Sequence, residues 1–256
     1  MAWIHALEYK ANLYVGLFAI FSGLLIEYLI WKQIFIVQDV EYIRGFSFRG
    51  LMAFIFLSMI VGQLKSSWVT SIEMIDEIRT GELNKYLIRP ISFFSYNLMM
   101  FIGMNSIYYL GYSVLLCFFP FFFPGLILVS ILNIIGFILA LIVSIYLSYS
   151  IYFIMVCFTF WLHEVRALVI AFNISNLILS GQIIPLKMFP ASIVSIIHFT
   201  PLPFLVDFPV GIATNQYSID VWAEKFLFAI CWCLLMTIIG KIIYRLGIKQ
   251  YGAYGA

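Results

Sequence analysis

The residue types that could do chemistry concentrate in one stretch of the chain, from Glu73 to Arg89. This stretch holds seven of the chain's 14 basic and 12 acidic side chains, and the next charged residue after it is Glu164. Glu73, Asp76 and Glu77 fall on one side of a predicted helix. Because like charges at this spacing repel by roughly 0.2–0.5 kcal/mol per pair, that side needs another contact. A basic protein partner would supply it, and a solvated amphipathic loop lying on a lipid surface is the alternative.

The same stretch predicts two short helices joined by a bend. Ile72, Ile75 and Ile78 recur every third residue, which favours a common apolar side. Gly81 predicts the end of the first helix, and residues 82–88 predict a second.

Motifs for catalysis are missing from the sequence. His163 and Glu164 form an H-E pair without a second histidine at the spacing of zinc proteases. The four cysteines lie in apolar runs, without disulfide or zinc spacing. There is no G-x-x-x-x-G-K-[ST] phosphate loop. We therefore expect no enzyme activity, metal or cofactor in this chain, and any use of ATP would need a partner chain.

The elements that must position the charged stretch are membrane helices. The chain is 64% hydrophobic and 10% charged, whereas a soluble domain carries about 25% charged residues. Lipid must therefore be its solvent, and nucleic acid is not an expected partner. We expect one all-α membrane domain that begins with an interfacial helix. Six segments are long and apolar enough to be transmembrane spans: residues 13–36, 49–65, 93–118, 128–160, 167–187 and 222–245.

Two segments between the predicted spans differ from the rest. Residues 66–92, which we call the charged loop, connect the second and third spans. Residues 188–221 are apolar but contain four prolines, which oppose one continuous helix and predict short, partly re-entrant helices.

The distribution of Lys and Arg predicts that both termini and the charged loop are cytoplasmic, and that residues 188–221 are outside. Nine basic residues fall on the predicted inner side and five on the outer side. The inner residues are Lys10, Lys65, Arg79, Lys85, Arg89, Arg166, Lys241, Arg245 and Lys249. The outer residues are Lys32, Arg44, Arg49, Lys187 and Lys225.

Polar and small residues inside the predicted spans form two stripes. The fifth span carries an amide and hydroxyl stripe, which predicts either interhelical hydrogen bonds or a substrate route. The fourth carries small residues four apart, which predicts close helix packing or a moving interface. The first stripe is Asn173, Asn176 and Ser180, followed by Gln182. The second is Gly136, Ala140, Ser144 and Ser148. Glu27 lies in the first span and has either a structural role or a role in cation or proton binding.

The string EIRTGELNKYLIRP, residues 77–90, resembles the cytoplasmic loop pattern of type 2 ABC exporter permeases. Further similarities, in the same order along the chain, are LEYKANLY, EYLIWKQIF, SGQIIPLKMFP and FTPLPFLVDFPVGI. The resemblance implies a six-span permease subunit that pairs with a second permease, identical or homologous. It also implies two copies of a separate ATPase that carry ATP and Mg²⁺.

In such a permease the charged loop would hold a coupling helix seated on the ATPase. The residues expected to act there are Glu73, Asp76, Glu77, Arg79, Gly81, Glu82 and Arg89. His163, Glu164 and Arg166 could form a second contact with the ATPase, or simply cap a helix turn at the membrane surface.

The sequence therefore predicts the membrane subunit of an ATP-driven exporter in a bacterial cytoplasmic membrane, with an amphipathic or hydrophobic cargo. Two other classes stay open. One is an ion-coupled secondary transporter or channel that uses Glu27 and the asparagine stripe. The other is a membrane assembly or scaffold protein.

Overall fold

The computed structural model describes residues 10–88, 90–126 and 130–251, which are mostly helical. The predicted interfacial helix at the N-terminus lies largely outside these residues. The α-helices are α1 (Lys10–Gln38), α2 (Phe48–Leu64), α3 (Trp68–Arg79), α4 (Asn84–Leu87), α5 (Phe93–Phe122), α6 (Ile131–Cys157), α7 (Arg166–Leu179), α8 (Ala191–His198), α9 (Asp207–Ala213) and α10 (Ile219–Tyr251). Three 3-10 turns cover Phe158–Phe160, Leu186–Met188 and Leu202–Leu205.

Five helical stretches of the described chain are long and apolar enough to cross a membrane. They lie in α1, α2 together with α3, α5, α6 and α10. The longest helix, α10, has 33 residues and therefore measures about 50 Å, well beyond the roughly 30 Å hydrocarbon core of a bilayer.

The helix in the predicted fifth span is shorter than expected. We predicted a span over residues 167–187, but α7 has 14 residues and ends at Leu179. At 1.5 Å per residue it is about 21 Å long, less than a bilayer core. Gly181 then takes the left-handed conformation at φ +83°, and Pro185 follows. Both residues oppose continuation of the helix.

A small β-hairpin joins α1 to α2 within the otherwise helical membrane fold that the sequence predicts. β1 (Tyr42–Ile43) pairs antiparallel with β2 (Phe46–Ser47). The intervening Arg44 and Gly45 both have positive φ, at 51° and 84°, as in the tight turns that suit hairpins. The Ser47 hydroxyl then caps α2 by accepting a hydrogen bond from the Gly50 N–H at 3.2 Å.

Helix α6 lies at the centre of the packing and contacts α10, α9 and α3. Its small-residue stripe is buried and faces the short helices that follow α7. A Cβ placed on Gly136 would lie 3.2 Å from the Ile212 side chain, and Ser144 donates a hydrogen bond to the Leu205 carbonyl at 2.5 Å. These small residues let α9 and the Leu202–Leu205 turn approach α6 closely.

The proline-rich segment forms short helices. Pro190 stands immediately before α8, and Pro209 lies in the first turn of α9, where a helix needs no N–H donor from the residue. All of α9 is buried, whereas α8 and its C-terminal neighbour expose Ile196 and Phe199.

Candidate functional site at the charged loop

Helix α3 is held against the bundle by one buried side. Ser71, Met74, Ile75 and Ile78 are buried, whereas Ile72 is only half-buried. Of the predicted apolar side, Ile75 and Ile78 are thus buried, and Ile72 lies at its edge. Each residue turns an α-helix by 100°, so three positions spaced by three drift around the axis, and a real stripe alternates steps of three and four.

A buried tyrosine of α6 contacts the buried side of α3. Tyr149 is fully buried, donates a hydrogen bond to the Phe94 carbonyl at 2.9 Å and lies 3.9 Å from the Met74 sulfur. One side chain thus joins α3, the start of α5 and the middle helix α6. Tyr149 cannot be recognised from the sequence, because nothing in an apolar run marks which tyrosine makes such a contact.

Glu77 closes the charged loop into a compact hairpin. Its Oε1 accepts hydrogen bonds from the Lys85 ammonium at 2.8 Å and from the Tyr86 hydroxyl at 2.7 Å. Lys85 also pairs with Glu82 at 2.8 Å. Gly81, at φ +83°, supplies the bend between α3 and α4 that brings these groups together.

These contacts raise the pKa values of two groups in the loop. The hydrogen bonds to Glu77 and Glu82 raise the pKa of Lys85. Burial, together with the hydrogen bond to Glu77, raises the pKa of Tyr86. Lys85 stays charged and Tyr86 stays neutral at physiological pH, and both donate to Glu77.

A second ion pair joins α3 to Arg166, the first residue of α7. The Arg166 guanidinium donates to the Asp76 carboxylate, and both side chains are 45% exposed. The structure thus brings together two groups that the sequence placed in separate loops. His163 and Glu164 are exposed in the turn just before α7, and Val165, next to Arg166, is buried.

Two of the three acids on α3 find counter-charges within the chain, and the assignment of the three acids to a partner ATPase stays a prediction. Asp76 and Glu77 have cationic partners within the chain, and burial of α3 brings those partners close. Glu73 and Arg79 remain exposed on the outer side of α3. Arg89 lies outside the described residues.

The C-terminal end of α10 reaches the same region. A Cβ on Gly81 would lie 3.8 Å from the Tyr251 hydroxyl oxygen. The Tyr251 ring packs edge-on against Phe160 at 6.1 Å. The charged loop therefore rests on α6, α7 and the end of α10 at one end of the bundle.

Comparison with known protein families identifies the chain. Residues 18–255 match the ABC-2 family transporter proteins. The chain belongs to this ABC-2 family. It is therefore a multi-pass membrane protein and an ABC permease subunit, as the resemblance of the charged loop predicted. The comparison with curated proteins found no match.

The polar stripe of this ABC-2 permease faces the interior of the bundle. Asn173 accepts a hydrogen bond from the Tyr152 hydroxyl at 2.9 Å. Ser180 donates to the Asn176 carbonyl at 2.6 Å, and the Gln182 side chain packs against Gly62 of α2. Asn176 is buried, and its Oδ1 has no hydrogen-bond partner among the described residues.

The other polar groups are separate from this stripe. Glu27 in α1 accepts a hydrogen bond from the Trp31 indole at 2.9 Å. The described residues contain no cluster of His, Cys, Asp and Glu suited to a metal ion.

Proposed function

We propose that this ABC-2 permease is the membrane subunit of an ATP-driven exporter whose charged loop docks on a separate ATPase. ATP and Mg²⁺ would bind to two copies of that ATPase, and a second permease, identical or homologous, would complete the transport route. The observation that carries the proposal is the position of α3. It stands at one end of the bundle, packed against α5, α6, α7 and the 3-10 turn Phe158–Phe160, with Glu73 and Arg79 exposed for a partner.

The contacts of α3 suggest how force would reach the membrane helices. ATP-driven closure of the two ATPases would press on α3. Through Met74 and Tyr149 the push would reach α5 and α6, and through Asp76 and Arg166 it would reach α7. A route between two permeases would then exchange its open side, which requires two states a few kcal/mol apart that nucleotide biases differently.

Rigidity of the charged loop matters for this mechanism. A flexible loop would absorb the push, whereas the bonds from Lys85 and Tyr86 to Glu77 hold α3 and α4 as one body. The exposed residues of that body are then the ones available to the ATPase. Glu73 would meet a basic group, and Arg79 an acidic one.

The cargo of the exporter would contact the stripe on α7. Asn176 offers a buried amide oxygen without a hydrogen-bond partner in the described residues, whereas Asn173 and Ser180 on the same stripe are already hydrogen-bonded. An amphipathic or hydrophobic molecule with at least one hydrogen-bond donor fits such a surface better than a bare ion, whose desolvation would need several ligands.

Docking can be tested by reversing one exposed charge. We expect Glu73→Lys to release the ATPase from the permease purified from native membranes, while membrane insertion and the thermal midpoint are retained. Asp220→Lys is the matched control, because Asp220 is also exposed and lies in the first turn of α10, away from the charged loop. Identification of every co-purifying chain gives the readout. ATPase retention by Glu73→Lys at the level of the control would contradict the docking assignment.

The location of the charged loop needs its own test. A cysteine at position 73 should react with a membrane-impermeant maleimide in inside-out vesicles and remain unlabelled in right-side-out vesicles. Labelling in the opposite pattern would place the loop outside the cell and remove the basis for ATPase coupling.

A further inference from the structure

A second cluster of charged and aromatic groups lies at the end of the bundle opposite the charged loop. Helix α10 spans the distance between the two, because Tyr251 reaches the charged loop and Lys225 belongs to the second turn of the helix. The Lys225 and Lys187 ammonium nitrogens lie 4.9 and 5.9 Å from the centroid of one ring, that of Tyr217. Two cations therefore share a single aromatic ring.

The ring of Tyr217 is held in place by a buried carboxylate. The Tyr217 hydroxyl donates to Asp207 Oδ2 at 2.7 Å, and the Leu186 N–H donates to Oδ1 at 3.3 Å. The Asp207 N–H in turn donates to the Ser180 carbonyl at 3.0 Å. Residue 217, the 3-10 turn Leu186–Met188 and the end of α7 are thus joined around Asp207. This fixes the position of the ring on which both lysines rest.

The Lys187 and Lys225 ammonium groups donate no hydrogen bonds to other described residues. Neither Lys187 nor Lys225 has a hydrogen bond or salt bridge within 4 Å among the described residues, although Lys225 is half-buried. Each ammonium carries three N–H donors and no acceptor. The acidic neighbours are Asp207, whose two oxygens already accept bonds, and the exposed Glu224 beside Lys225. A ligand with several acceptor oxygens would use these donors.

Apolar surface adjoins the two lysines. His198, at the end of α8, interacts electrostatically with Lys225 and Asp207, so this end of α8 lies near the cluster. The next residue, Phe199, is 84% exposed, and Ile196 is 69% exposed. An apolar chain could lie against these side chains while a polar head contacts the lysines.

We propose that Lys187 and Lys225, placed around Tyr217, bind an anionic phosphate group at this end of the bundle. The phosphate belongs either to a lipid headgroup, whose acyl chains cover Ile196 and Phe199, or to a soluble phosphate. This inference stands independently of the ATPase partner, since it concerns residues far from the charged loop.

The experiment compares lipids that differ only in the headgroup. The full-length permease is placed in nanodiscs of phosphatidylcholine mixed equally with phosphatidylglycerol of the same acyl chains. Native mass spectrometry then counts the lipids that stay bound. We expect the wild type to retain phosphatidylglycerol preferentially. The double variant Lys187→Gln/Lys225→Gln should reduce that preference about tenfold, because it loses charge-assisted hydrogen bonds to the phosphate. Lys187→Arg/Lys225→Arg should keep it.

Lys32→Gln is the matched control, because Lys32 also stacks on a tyrosine, 5.5 Å from the Tyr28 ring centroid, but no second lysine of the described residues lies over that ring. A separate arm adds inorganic phosphate to permease in pure phosphatidylcholine nanodiscs and follows the thermal midpoint. The first outcome is a phosphate-dependent rise of the thermal midpoint in the wild type but not in the double Gln variant, with no lipid preference in the wild type. This outcome supports the site and assigns it to soluble phosphate. Lipid preference without that rise assigns it to a headgroup. Absence of both effects, or an equal loss in Lys32→Gln, overturns the proposal.

Discussion

The ion pair between Asp76 and Arg166 allows a charge-exchange test of how the charged loop is braced. Both side chains are 45% exposed, so solvent screening limits the pair to about 0.5–1 kcal/mol. Asp76→Arg and Arg166→Asp each remove this attraction and add a repulsion of similar size. The helix macrodipole partly offsets the loss, because Asp76 lies near the C-terminal end of α3 and Arg166 begins α7. Each exchange places the charge that its helix end favours, worth about 0.3–1 kcal/mol.

These contributions sum to a loss of about 1 kcal/mol for each single variant, or a fall of about 2–4 °C in the thermal midpoint. The double variant restores the attraction and keeps both dipole gains. It should therefore be more stable than the wild type by the sum of the two gains, about 0.6–2 kcal/mol. Thermal unfolding in nanodiscs gives the midpoints of the wild type, the two single variants and the double variant. Glu82→Gln is the control, because it removes only an exposed ion pair with Lys85. It should change the midpoint by about 1 °C or less.

The same four proteins separate two roles for Asp76. If the residue acts by bracing α3 on α7, the double variant regains ATPase association and export along with stability. If Asp76 instead contacts the ATPase directly, the double variant stays defective although its stability returns. Additive losses in the two single variants, with no recovery in the double variant, would refute the internal ion pair itself.

Two further predictions concern packing and the polar stripe. Gly247→Ala should lower the unfolding free energy by about 1–3 kcal/mol, because a Cβ there would overlap the Phe160 ring. Gly240→Ala should lower it less, since its Cβ would lie 3.1 Å from the Phe153 side chain. Equal midpoints of the two variants in thermal unfolding would contradict this packing. Asn173→Leu should cost about 1–2 kcal/mol by leaving the Tyr152 hydroxyl unpaired. Asn176→Leu should lower the unfolding free energy by less than about 1 kcal/mol but alter cargo-stimulated ATPase activity. Unchanged activity with a lower thermal midpoint would assign Asn176 to packing alone.

The sequence by itself determined the features that depend on local composition. Apolar runs without charge can be stable only in lipid, so the membrane class followed from composition. Gly81 and the prolines of residues 188–221 act on their own backbone, so the bend and the short helices could be predicted where they occur. The order of the charged loop and its flanking motifs was sufficient to identify the family.

Only the tertiary structure decided which of these groups contact one another. Asp76 and Arg166 are 90 positions apart, and no local pattern predicts their pairing, because it depends on how α3 and α7 pack on α6. The same packing gives Asn173 a tyrosine partner and leaves the Asn176 oxygen without one among the described residues, although both belong to one stripe in the sequence. Periodicity places a side chain on a face of a helix, whereas its partner is set by the distant element that covers that face.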